Sequence, residues 1–322
     1  MPDSKDHRIA GHRPRILFIA GYLRTGSTLL ERLLAQVEGI TAAGEVRYIW
    51  TNGFRLNQSC GCGRPFRSCP FWTEVVKEAF GGFDRVDADR MARLQRSVDR
   101  LWHIPQMVAA LRLPRYRRQL GEYLDHLERV LSSVRRISGA RVVVDSSKAP
   151  SHGFLLHAIA NFDVEVLHLV RDSRAVAHSW SRLKKLPGVG LEHPYMPRYG
   201  PVRAAFEWDV MNVAAHALRR PASRYLRLRY EDLAADPRAV ISEALSAIGE
   251  PADRLDFLDG EVATLRPDHT VSGNPIRFAT GPVRITPDVA WQREMRPGTK
   301  RVVTGLTWPL LRAYGYGVGA GP

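Results

Sequence analysis

RILFIAGYLRTGSTLL, residues 15–30, decides the fold. Apolar residues 16–20 read as a short buried strand that stops at Gly21. Gly26, Ser27 and Thr28 follow, and then an apolar pattern of helical period begins. Strand, tight loop and helix in that order make a phosphate-cradling P-loop. Backbone N–H groups at a helix start bind an oxyanion, and the helix dipole favours negative charge there. The spacing matches G-x-x-x-x-G-K-[ST] except that Ser27 stands where the lysine belongs. That lysine serves the β/γ-phosphates of a nucleoside triphosphate. Its loss argues against ATP or GTP but keeps the anion site, and Arg24 supplies a cation nearby.

VEVLHLV, residues 164–170, reads as a second buried strand, ending at Arg171. The helix after it carries Ser179, eight residues beyond the arginine. Arginine grips phosphate bidentately and stays charged at working pH, so Arg171 and a hydroxyl suit a phosphate monoester. A third segment, LRLRYEDLAADPRAVISEALSAIG, residues 226–249, reads as a strand followed by helices. Taken singly, Gly21 and Gly26 also fit an ordinary turn, and Arg171 a solvated strand end.

The three segments in this order resemble sulfotransferases that use 3′-phosphoadenosine 5′-phosphosulfate (PAPS), over roughly residues 14–250. The resemblance is to the bacterial, carbohydrate- or tyrosine-type branch with a glutamate base. It implies that Arg24, Thr25, Gly26, Ser27 and Thr28 hold the 5′-phosphosulfate. Arg171 and Ser179 then hold the 3′-phosphate, and the product is 3′-phosphoadenosine 5′-phosphate (PAP). It further implies Glu45, in AGEVR, as the general base and Lys148, in DSSKAP, as a leaving-group cation, with Arg24 reaching the sulfonate or bridging oxygens. The other reading of Glu45 is a carboxylate favouring the start of a helix at Val46. His152 and His269 are alternative bases; His168 and His178 read as structural, and Lys184 and Lys185 as a solvated helix end. Asp145, ending an apolar strand, is expected to orient Lys148 or the P-loop. One departure is the region 269–291, which lacks the basic R-x-G-x-x-G-x-W-K loop of many relatives. Arg277 is its best anion contact.

Sulfuryl transfer asks for a base near the acceptor hydroxyl and cations near the leaving oxygen. Fixed Arg and Lys can provide that charge, so no metal is required. The alternatives are a divergent P-loop kinase or NTPase and a non-catalytic nucleotide-binding protein.

The chain has 322 residues and a net charge of +14, with 41 arginines to six lysines. The ratio fits a GC-rich coding bias, and the basic residues are spread rather than blocked, so nucleic acid is not an expected partner. No run approaches the ~20 apolar residues of a membrane helix. No signal-peptide core is visible, so the chain reads as cytoplasmic. Cys60, Cys62 and Cys69 lie in SCGCGRPFRSCPFW. They fit packed free thiols, a disulfide to Cys69, or a metal site short of a fourth ligand.

Helical patterns alternate with apolar strands at 141–144, 164–170 and 225–229. The expected fold is one α/β domain over 1–322, a P-loop-like parallel sheet with helices on both faces. Residues 1–13 are expected to be disordered. Residues 46–135 read as a helical and Cys-loop insertion shaping the acceptor pocket, for a small molecule or a glycan. The acceptor's identity and the oligomeric state are not legible.

Overall fold

The computed structural model describes residues 13–108, 114–183, 185 and 195–317. The expectations for residues 1–12 and for Lys184 therefore fall outside the described residues.

Five strands make the central sheet: β1 (Arg15–Gly21), β2 (Ile40–Gly44), β3 (Val142–Lys148), β4 (Asp163–Val170) and β5 (Arg224–Arg229). Their order is β2-β3-β1-β4-β5, and every pairing is parallel. Alternate residues of β1 feed two cores. Ile16, Phe18 and Ala20 face one side, and Leu17 and Ile19 the other. A strand buried on both faces needs a continuous apolar run, and residues 16–20 supply it.

The first core is roofed by α2 (Pro70–Phe80), α3 (Ala88–Val98), α4 (Ile104–Val108), α5 (Pro114–Ser138) and α6 (Pro150–His157). The apolar stripe of α5, with Leu120, Leu127 and Leu131, is fully buried there. The second core lies under α1 (Ser27–Leu34) and α10 (Pro237–Ile248). Between these fall α7 (Ser173–Ser181), α8 (Pro201–Ala217) and α9 (Tyr230–Ala235). A small antiparallel sheet of β6 (Leu258–Asp259), β7 (Val262–Leu265) and β8 (Gly281–Arg284) follows, then α11 (Ala290–Glu294) and α12 (Pro297–Ala313). No described helix is long and apolar enough to cross a membrane.

Boundaries differ from expectation in three instructive places. Residues 40–44 form strand β2, because a buried edge pairing with β3 overrides their weak alternation. β3 runs through Asp145 to Lys148, so both are strand-end residues. The 269–291 region is not one loop: it contains a 3₁₀ turn, β8 and the start of α11. The chain returns to either side of β1, so the crevice for a ligand opens at the C-terminal ends of β1, β3 and β4.

Candidate active site

β1 delivers the P-loop at that crevice. Gly26, the N-cap of α1, has φ 89° and is not capped by a side chain. A Cβ there would also lie 2.5 Å from the Tyr230 ring. Glycine thus leaves the first N–H groups of α1 open to a ligand. A cavity of about 550 Å³ spreads in front of them. Its lining includes Arg24, Gly26, Ser27, Thr28, Glu45, Lys148, Arg171, Ser179 and Arg277. Thr25 is the exception among the candidates. Its buried hydroxyl donates to Tyr22 O at 2.9 Å, which turns the side chain to bracing the loop.

Two arginines and a serine carry buried polar atoms without partners. Arg24 Nε and Nη2, Arg171 Nε and Ser179 Oγ make no hydrogen bond among the described residues. Each such group costs about 1–3 kcal/mol when left unsatisfied. Arg171 is not a solvated strand end: it is 5% exposed and lies 4.4 Å over the Tyr230 ring. It donates to Arg24 O at 2.9 Å and to Asp288 Oδ2 at 3.0 Å. Arg24 lies 4.8 Å over the Trp180 ring, and burial lowers its pKa. The cavity therefore presents fixed, desolvated cations, the electrostatics an anionic ligand requires.

Across the cavity, Lys148 Nζ donates to Glu45 Oε1 at 2.6 Å and to Ser146 O at 3.0 Å. Glu45 makes no capping hydrogen bond to the turn that follows, and it lines the cavity. Glu45 N donates to Val271 O at 2.7 Å, which ties this residue to the C-terminal segment.

Asp145 departs from expectation. It accepts from Ser147 and binds His152 Nε2 at 2.9 Å, and it neither holds Lys148 nor reaches the P-loop. His152 lies within α6, not in a loop, and is wholly buried between Asp145 and Asp99. Burial opposes its charging, but the two aspartates raise its pKa to about 9. A permanently buried, charged imidazole is a poor base for an external hydroxyl. His269 is also excluded, because its Nδ1 faces Cys69 Sγ at 3.2 Å and it does not line the cavity. His168 is clasped by Tyr225 and Asn212, as a structural histidine should be.

Arg277 is 4% exposed and lines the cavity, but it also donates to Thr270 O and Ser272 O. Burial lowers its pKa, against the pull of Cys60, Glu45, Asp268 and Glu31.

Sequence reasoning missed Glu31 and Arg32, adjacent ionisable residues fully buried on α1. Glu31 accepts from Gly44 N at 2.7 Å and from Ser146 Oγ at 2.6 Å, beside Glu45 and Lys148. Arg32 binds Asp268 Oδ2, Ile276 O, Ala279 O and Arg266 O, pinning the segment that roofs the cavity. Two ionisable residues inside an apolar helix, STLLERLL, were the available signal. Burying such a group in its charged form costs several kcal/mol unless it is fully paired.

The chain is similar to known proteins over nearly its whole length. The model of the sulfotransferase family matches residues 14–254. The sulfotransferase domain from the curacin biosynthetic pathway superposes with TM-score 0.53 at 18% identity, covering 96% of this chain and all of that one. The sulfotransferase domain of the Synechococcus PCC 7002 olefin synthase superposes with TM-score 0.51 at 21% identity, covering 95% and 96%. At these identities the two structures speak for the fold. No curated protein sequence matches the chain.

Proposed function

The chain belongs to the sulfotransferase family, whose reaction is sulfuryl transfer, and we propose that its donor is PAPS and its acceptor a hydroxyl on a small molecule or a glycan. The observation that carries this reading is the set of unpartnered buried donors of Arg24, Arg171 and Ser179, facing one cavity with the Glu45–Lys148 pair. The residues fit the donor. The N–H groups of Gly26, Ser27 and Thr28, with Arg24, would hold its 5′-phosphosulfate. Arg171 and Ser179 would hold its 3′-phosphate, with Arg277 adding charge from the roof. When bound, the donor supplies the sulfuryl group and a phosphate leaving group.

Glu45 takes the proton from the acceptor hydroxyl at Oε1 or Oε2. Lys148 holds that carboxylate in place at rest and turns toward the developing negative charge during transfer. Arg24, held under Trp180, offers its free Nε and Nη2 to the same charge. Residues 1–322 act as one domain. Tyr48, Thr51, Asn52, Leu56 and Gln58 line the cavity and so give residues 46–135 their part in shaping the acceptor pocket.

Calorimetric titration with PAP, against ATP with Mg²⁺, tests the donor. Micromolar binding of PAP and none of ATP is expected. The reverse would make the chain a divergent kinase.

A further inference from the structure

Cys60, Cys62 and Cys69 are joined in space by a fourth group that sequence spacing did not reveal. His269, 200 residues beyond Cys69, brings its Nδ1 to 3.2 Å from Cys69 Sγ and 3.8 Å from Cys60 Sγ. Cys62 Sγ donates to Cys69 Sγ at 3.7 Å, with no disulfide between them. One ligand atom from each residue lies within 4.8 Å of all the others. Zn–S bonds of about 2.3 Å and Zn–N bonds of about 2.0–2.1 Å at tetrahedral angles require ligand separations of roughly 3.5–3.8 Å. The three separations above fall in or beside that range, and small side-chain rotations close the rest.

We propose that Cys60, Cys62, Cys69 and His269 form a structural zinc site that fastens the cysteine loop to the roof of the active-site cavity.

The surrounding backbone is built for such a site. A bridge between Ser59 and Pro65 closes a narrow hairpin, with Cys60 N donating to Arg64 O at 2.7 Å. That hairpin presents Cys60 and Cys62 together. Cys69 is the N-cap of α2, and its side chain makes no capping bond. The His269 ring stacks on Phe71 at 4.9 Å, and its carbonyl accepts from Trp72 Nε1 at 2.7 Å. Gly61 permits the approach of the two segments, since a Cβ there would lie 2.3 Å from Asp268 Oδ1.

Four protein ligands leave no open position, so the site is structural rather than catalytic. Three thiolates and an imidazole select zinc over magnesium or calcium. The consequence reaches the active site through the strip that follows His269. Val271 holds Glu45 N and Ala43 O, and Ser272 to Phe278 line the cavity. The zinc would fix this strip from its start at His269, as Arg32 does from below.

The test is metal analysis of the full-length protein purified without chelator or affinity metal. One zinc per chain is expected, and cobalt exchange should give the visible d–d bands of a tetrahedral thiolate site. Cys62→Ser should lose at least tenfold in zinc occupancy, while His269→Cys, which keeps four ligands, should retain it. Metal-free protein that takes up neither zinc nor cobalt, or a disulfide consuming two of the thiols, would overturn the proposal. Iron in place of zinc would overturn it too. These readouts do not depend on sulfuryl transfer, so a wrong donor assignment leaves the test intact.

Discussion

Lys148 Nζ and Glu45 Oε1 stand 2.6 Å apart, both almost wholly buried, at the mouths of adjacent strands β3 and β2. The lysine holds the carboxylate at rest and must release it when the acceptor hydroxyl arrives. Glu45→Gln keeps the shape and removes the basicity. It should lower kcat by about 10²–10⁴-fold with PAP affinity unchanged, the range for losing a general base. Lys148→Met should lower kcat comparably, and rapid-quench kinetics with calorimetry separate the two quantities. A normal kcat in Glu45→Gln would remove the base from this position.

Arg171 and Ser179 carry the predicted discrimination of the 3′-phosphate. Ser179→Ala should weaken PAP by roughly 10- to 150-fold, the worth of about 1.5–3 kcal/mol for a hydrogen bond to a charged group. Arg171→Ala should weaken it more. Neither should change the affinity for adenosine 5′-phosphosulfate, which lacks the 3′-phosphate. Equal losses for both ligands would refute the assignment.

Asp288 sits on the other side of Arg171, at 3.0 Å. Its carboxylate competes with a bound phosphate and repels it. Asp288→Asn should tighten PAP binding by roughly 3- to 10-fold, on the order of 1 kcal/mol for a half-exposed like charge. Raised ionic strength should shrink the gain. Weaker binding in the variant would instead make Asp288 an organiser of the arginine.

The parallel sheet, and the segments that bring the P-loop, Arg171 and Ser179 to one cavity, were legible because each strand, turn and following helix is continuous in sequence. Glu45 was legible only through resemblance, since nothing local distinguishes it from a helix-start carboxylate. What escaped is what depends on distant partners. Glu31 meets Gly44 and Ser146, Arg32 meets residues 266–279, and His269 meets Cys69. No window of sequence contains both members of those pairs. His152 was misread for the same reason, because its partners Asp99 and Asp145 decide its environment.

Glu31 is a positioning residue with a clean isostere. Burial pushes its pKa up to about 8, so its neutral form prevails at pH 7. Gln offers the same oxygen to Gly44 N and a donor to Ser146 Oγ. Glu31→Gln should therefore keep kcat, and at pH 7 it should hold or raise Tm, because Gln needs no proton uptake on folding. Glu31→Ala strands both partners and should cost about 1–3 kcal/mol of stability. It should also lower kcat without changing KM for an acceptor. Equal damage from both variants, read by thermal unfolding and kinetics, would show that the charge matters.

His152 makes stability depend on pH in a defined direction. Its folded-state pKa is about 9, against 6.5 for an ordinary histidine. The folded state binds the extra proton, so the contribution of the Asp145–His152–Asp99 cluster is complete below about pH 6.5. It declines above that and is lost as the pH rises through about 9. Thermal unfolding should show Tm falling between pH 6.5 and 9. Glu31 adds to the slope only up to its own pKa of about 8, and the lowered pKa of the Cys69 thiol adds a slope of opposite sign, so the difference between wild type and His152→Gln isolates the histidine. His152→Gln should lower Tm at pH 6 and flatten the fall between pH 8 and 9. It should leave the pH dependence of kcat unchanged, because the ring never meets the acceptor. A kcat profile that shifts with this substitution would return His152 to the catalytic machinery.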